Sequence, residues 1–187
     1  MIIIAVAMNL GLSLIVYFFR LPMWLDTVGT IYVSILMGSA YGFCAGLVNN
    51  VCFSWFLYGY NSILYYFVSL FVAVVAGRYV RRLKKMNIGY WIILGIQIFI
   101  GSVVIATGLS LWLDGGIPSD YWGSRIYYQM FSQGYPAFVS TITGISVIKF
   151  IDVIASLVLT SAAIRFTPDK ILSDEYCVDL YKRRGLA

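Results

Sequence analysis

Residues Leu21–Thr30 read LPMWLDTVGT. Pro22, Trp24 and Asp26 alternate along the stretch, and a Gly-Thr pair closes it. The eighteen residues before it, Ile2–Phe19, are a strongly apolar run. The chain after it returns at once to apolar sequence. A carboxylate between two such runs reads as the turn between two membrane helices, with Asp26 at the mouth of the second. An acid at that position is favoured by the helix dipole and can accept from free N–H groups.

Composition sets the same frame. Of 187 residues, 61% are apolar and 11% charged, where a soluble domain carries about a quarter charged residues. The mean hydropathy is +0.87. Too little polar surface remains to clothe a water-soluble particle, so the reading is an all-α integral membrane protein. No stretch looks like a separate soluble domain. The expected division is a transmembrane domain over 1–166 and a short charged cytoplasmic tail over 167–187. The first run lacks a basic leader and has the length of a span, which argues against a cleavable signal. Histidine is absent, removing the usual general base and the commonest metal ligand. No metal site is expected. Cys44 and Cys52 lie roughly 12 Å apart along one predicted helix at 1.5 Å per residue, too far for a disulfide, and Cys177 falls in the tail.

Six apolar segments are expected to be helices: Ile2–Phe19, Leu25–Met37, Tyr41–Leu57, Ile63–Val80, Tyr90–Leu113 and Val139–Ile164. Ten of the 13 basic residues cluster in the fourth connection and the tail. Arg20 and Arg125 fall on the opposite side and Lys149 inside the last segment. By the positive-inside rule this places both termini in the cytoplasm. It also explains the net charge of +5 without a nucleic-acid partner. Three connections then face outward: Phe19–Leu25, Tyr58–Ser62 and Asp114–Pro136. The third is long, aromatic and rich in turn signals, and is read as a loop.

Polar residues inside the segments are the functional candidates. Asn49 and Asn50 lie midway along the third, where unpaired amides are costly. They either line an outward pocket or bond between helices. Lys149 and Asp152 are three apart on the sixth and so neighbours on one face. They either anchor a ligand or compensate each other. Gln97 reads as structural. Ala7 and Gly11, one turn apart beside Asn9, would let another helix approach closely. Gly38, Gly42 and Gly46 repeat that spacing and could pack within the chain or against a partner.

LPMWLDTVGT followed by SILMGSAYGFCAGLVNN, over Leu21–Asn50, resembles the substrate-binding S components of energy-coupling-factor (ECF) transporters. The six-segment pattern extends the resemblance over nearly the whole chain. It implies a compact six-helix bundle in a prokaryotic plasma membrane, with both termini inside and an outward pocket for a scarce nutrient. It further implies docking on a transmembrane coupling subunit joined to two ATPase subunits. Ala7 and Gly11 match the family's small-residue docking feature, with Gly in the second place. No Walker A motif is present, so ATP would be used by the partners and no cofactor by this chain.

The expected pocket is mostly apolar and aromatic with a few convergent polar groups. Its candidates are Trp24, Asp26, Asn50, Tyr60, Asn61, Trp112, Trp122, Gln129, Gln133, Lys149 and Asp152. A lysine and an aspartate together favour a neutral or zwitterionic solute, such as a vitamin, nucleoside or sugar-like molecule. Two other functions remain open: a membrane sensing or scaffold domain, and a self-contained small-solute transporter. An intramembrane enzyme would need a base or metal ligands that are missing.

Overall fold

The computed structural model describes residues 1–79 and 87–167, the side chains at 57, 58, 60 and 61 excepted. Every regular element among them is helical. α1 is Ile2–Phe19, α2 Val28–Met37, α3 Ser39–Phe53, α4 Tyr66–Gly77, α5 Ile88–Leu113, α6 Tyr121–Ser132 and α7 Ala137–Arg165. A π turn, Ser54–Tyr58, extends α3, and a 3-10 turn, Tyr60–Tyr65, leads into α4. Each of the six expected segments contains a helix among the described residues, although residues 25–27 are irregular. The tail beyond Thr167 and the basic cluster at 81–85 lie outside the described residues.

Among the described residues three helices, α1, α5 and α7, are long and apolar enough to cross a membrane, with mean hydropathies of 2.4, 2.3 and 2.1. α2 is different. Its ten residues reach only about 15 Å, short of the roughly 30 Å of a hydrocarbon core, and Val28 through Leu36 are all buried. It is the central rod, packed against α1, α3, α4 and α7. This explains its lack of any charged or strongly polar face: a helix enclosed on every side carries only apolar residues and the small hydroxyls of Thr30 and Ser34.

Polarity is inverted relative to a water-soluble bundle. Large apolar side chains point outward on all three long helices, including Ile3 and Phe18 on α1, Ile96, Ile100 and Val104 on α5, and Phe150 and Val158 on α7. Polar side chains lie inside: Asn9, Thr30, Ser34, Asn49, Ser102, Thr141, Asp152 and Thr160 are all at or near zero exposure. An exterior of this kind suits hydrocarbon and an interior of this kind ties helices by hydrogen bonds.

Small residues bring the helices together inside the chain. A Cβ on Gly29 would fall 2.0 Å from the Ala5 carbonyl oxygen, and one on Gly42 would meet Ser34 and Ala73. Gly38 turns α2 into α3 at φ 100°, backbone that a side chain would strain. The glycine series from Gly38 to Gly46 therefore serves internal packing rather than a partner. Asn9, expected beside the Ala7–Gly11 surface, points the other way. It is fully buried, donates to Thr30 Oγ1 at 3.0 Å and accepts from Gly29 N at 2.6 Å. Ala7 and Gly11 remain exposed on the opposite side of α1.

The connection 114–136 corrects the loop expectation, because it contains α6. Asp120 caps this helix, accepting from Gly123 N at 2.5 Å. α6 packs along α7, where Gly144 lies against the Gly123 carbonyl. Thr141 Oγ1 donates to Gly116 O, fixing the entry to α6.

Candidate functional site

The opening stretch makes an irregular turn between α1 and α2. Arg20 and Leu25 both take left-handed backbone, at φ 50° and 52°. For leucine such a conformation costs of order 1 kcal/mol and persists only where surroundings impose it. Asp152 on α7 supplies that constraint. Its Oδ1 accepts from Trp24 N at 2.9 Å and Leu25 N at 2.7 Å. Its Oδ2 accepts from Lys149 Nζ at 3.0 Å. Ser13 on α1 adds a bond to the Trp24 carbonyl at 3.1 Å.

Above this junction, at the end of the bundle formed by the connections 20–27, 54–65 and 114–120, lies a cavity of about 810 Å³. Val16 and Tyr17 of α1, Asn50 and Phe53 of α3, Tyr65 just before α4 and Val68 within it, Ala106 of α5, and Ile145, Ile148 and Lys149 of α7 line its walls. Trp24 and Asp26 line it from the α1–α2 turn, and Pro118 to Trp122 from the approach to α6. Trp122 Nε1 donates to the Arg20 carbonyl at 2.7 Å, and the Arg20 guanidinium sits 5.9 Å from the Tyr121 ring centre. These contacts pin the start of α6 to the end of α1 across the cavity.

The structure brings together five of the eleven pocket candidates: Trp24, Asp26, Asn50, Trp122 and Lys149. Asn50 both lines the cavity and bonds between helices, donating to Gly46 O at 2.8 Å and Ser69 Oγ at 2.9 Å. Asp152 is close by but behind the wall, fully engaged as above. Trp112 is 73% exposed on α5, and Gln129 and Gln133 lie on the exposed side of α6 and at its end. None of these three reaches the cavity. Helix phase decides this, and a sequence read as loop gave no phase for 129 and 133. Tyr60 and Asn61 fall among the side chains left undescribed.

Three acidic or basic lining residues were missed: Arg20, Asp114 and Asp120. Asp114 Oδ2 accepts from Tyr65 OH at 2.8 Å. Asp120 was legible as a helix cap, standing directly before the aromatic run that forms α6. Burial raises its carboxyl above the ordinary range, against the opposing effects of the Gly123 N–H and the charge of Lys149.

Asp26 does not cap α2. Thr27 occupies the cap position and makes no side-chain cap bond. Asp26 is partly buried overall, yet its Oδ1 is sealed from solvent and has no hydrogen-bond partner. Its carbonyl accepts weakly from Asn49 Nδ2 at 3.4 Å, and Asn49 Oδ1 is likewise buried and unpartnered. Lys149 Nζ, besides its bond to Asp152, lies 6.0 Å from the Trp24 ring centre, within the range of a cation–π contact. Among the described residues no cluster of three His, Cys, Asp or Glu could hold a metal ion.

No family model, curated protein or solved structure matches the chain.

Proposed function

We propose that this chain is the substrate-binding S component of an ECF-type importer in a prokaryotic plasma membrane. It captures a small organic nutrient without net negative charge in the cavity between α1, α3, α4, α5 and α7. The bundle crosses the membrane with six segments, both termini are cytoplasmic, and the cavity opens outward. A coupling subunit docks on the Ala7–Gly11 side of α1, and two ATPase subunits supply the energy for release.

One observation carries the reading: a cavity of about 810 Å³, the size of a vitamin-class ligand site, lies at the end of the bundle poor in lysine and arginine. The apolar exterior supports insertion in a bilayer. The exposure of Ala7 and Gly11, with open space around Gly11, supports close approach of another helix there.

Co-expression with a coupling subunit and its two ATPases tests it. The expected result is a four-subunit complex in mild detergent and ATP-dependent solute uptake by cells or vesicles. Ala7→Trp should abolish assembly and uptake while leaving solute affinity unchanged. Assembly unchanged by this bulk would remove the docking face, and uptake without any ATPase would favour a self-contained transporter.

A further inference from the structure

The sequence left the Lys149–Asp152 pair two roles, an anchor for a ligand or a self-compensating pair that fixes packing. The geometry favours the second, although Lys149 also lines the cavity. Lys149 is held by Asp152 at 3.0 Å, and both remaining demands of Asp152 are met by the backbone of the α1–α2 turn. The pair is internally neutral and does structural work.

What remains is an excess of acid. Asp26, Asp114 and Asp120 line the cavity together with Lys149 and Arg20. Asp26 and Asp120 both lie within electrostatic reach of Lys149 and add to the charge of Asp152. With Asp152 the group holds four carboxylates against two cations. Tyr65 serves Asp114 and the Gly123 N–H serves Asp120. Asp26 alone keeps a buried oxygen with no donor. A buried carboxylate oxygen left unpaired is costly, and Asp26 also borders the cavity, where a cation or an N–H donor arriving from outside can meet its carboxylate. Lys149 does not supply that donor: its ammonium bonds Asp152 and rests near Trp24, and no hydrogen bond reaches Asp26 Oδ1.

We propose that the solute carries a positively charged nitrogen that seats on Asp26, its ring or apolar body lying among the cavity's aromatic walls. The inference rests on the cavity being a solute site and narrows its substrate class to organic cations, including zwitterions that present a cationic nitrogen. Asp26 is the specificity residue. Asp120 and Asp114 supply the long-range field that favours a cation over an anion entering the same mouth.

A matched charge series tests the proposal: benzamidinium, benzamide and benzoate, titrated calorimetrically into the full chain purified in detergent at pH 7.5. The three probes share a ring and differ in charge. Benzamidinium is expected to bind at least about tenfold more tightly than benzamide, with benzoate weakest. Asp26→Asn should bring benzamidinium and benzamide within about twofold of each other. Asp26→Ser serves as a second variant should the amide disturb folding, which circular dichroism would report. Benzamide or benzoate binding as tightly as benzamidinium would overturn the proposal, as would failure of all three to bind. An unchanged preference in both Asp26 variants would overturn the assignment to Asp26. Assembly with the coupling and ATPase subunits is scored separately. Cation preference without assembly would sink the importer reading alone, and assembly without cation preference would sink this one alone.

Discussion

Two carboxylates that meet the same turn have opposite surroundings. Asp152, on α7, accepts from Lys149 and from two backbone N–H groups and is 1% exposed. Asp26, on the turn itself, borders the cavity and leaves Oδ1 without a donor. A satisfied buried acid locks structure. An unsatisfied one at a cavity wall keeps hydrogen-bonding capacity that the fold itself does not use. The difference teaches that charge in an apolar stretch is not by itself informative: its hydrogen-bond partners tell an acid used by the scaffold from one the scaffold leaves unsatisfied.

The comparison can be broken most severely at Asp152. Asp152→Ala leaves Lys149 buried without its partner and frees the strained backbone at Leu25. A loss of about 3–5 kcal/mol is expected from breaking a buried pair, visible as a large drop in the thermal unfolding midpoint in detergent. A small drop would mean that the turn is held by other contacts.

Asn9→Ala is the next test. It removes a donor to Thr30 and an acceptor for Gly29 N where α1 and α2 come closest. About 1–3 kcal/mol should be lost, with solute affinity unaltered, since Asn9 lies away from the cavity lining.

Asp26→Asn sharpens the contrast. Stability should hold or rise slightly, because the amide removes an unpaired buried acid, while binding of benzamidinium falls. A destabilisation comparable to that of Asp152→Ala would erase the distinction between the two acids.

The smallest effect is expected at Asp120. Its folded carboxyl titrates above the unfolded value, so the folded state binds more protons than the unfolded state between those values. Stability therefore falls as pH rises through that window and stays lower above it. Asp120→Asn keeps an acceptor for Gly123 N, and should raise the unfolding midpoint at pH 7.5 by a degree or two, on the order of a few tenths of a kcal/mol. The gain should shrink as pH falls toward 4. A gain that grew on acidification would contradict the sign of the shift.

Much of the helical plan was legible because membrane-length apolar runs speak for themselves. Ile2–Phe19 was read to the residue, and Lys149 and Asp152 were recognised as neighbours from their spacing alone. What stayed hidden depended on contacts between distant segments. α6 was missed because its aromatic residues, flanked by glycines and prolines, resemble an interfacial loop. Its cap at Asp120 was the overlooked signal. The roles of Asp26 and Asp152 were not separable in one dimension, since the partners of Asp152 at Trp24 and Leu25 lie 128 and 127 positions away. Trp112 illustrates the same limit from the other side: residue type suggested a place in the pocket, but rotation about the α5 axis put the ring outside.

The brevity of α2 has its own outcome. Because the helix begins only at Val28, the chain from Arg20 to Thr27 dips into the bundle as an irregular hairpin instead of continuing as a rod. None of the α2 side chains borders the cavity, whereas Met23, Trp24 and Asp26 do. The hollow exists where helical turns are missing. Adding one turn at the start of α2, roughly 5.4 Å of helix, would plug the hollow with the protein's own backbone and leave a bundle with nowhere to seat a guest.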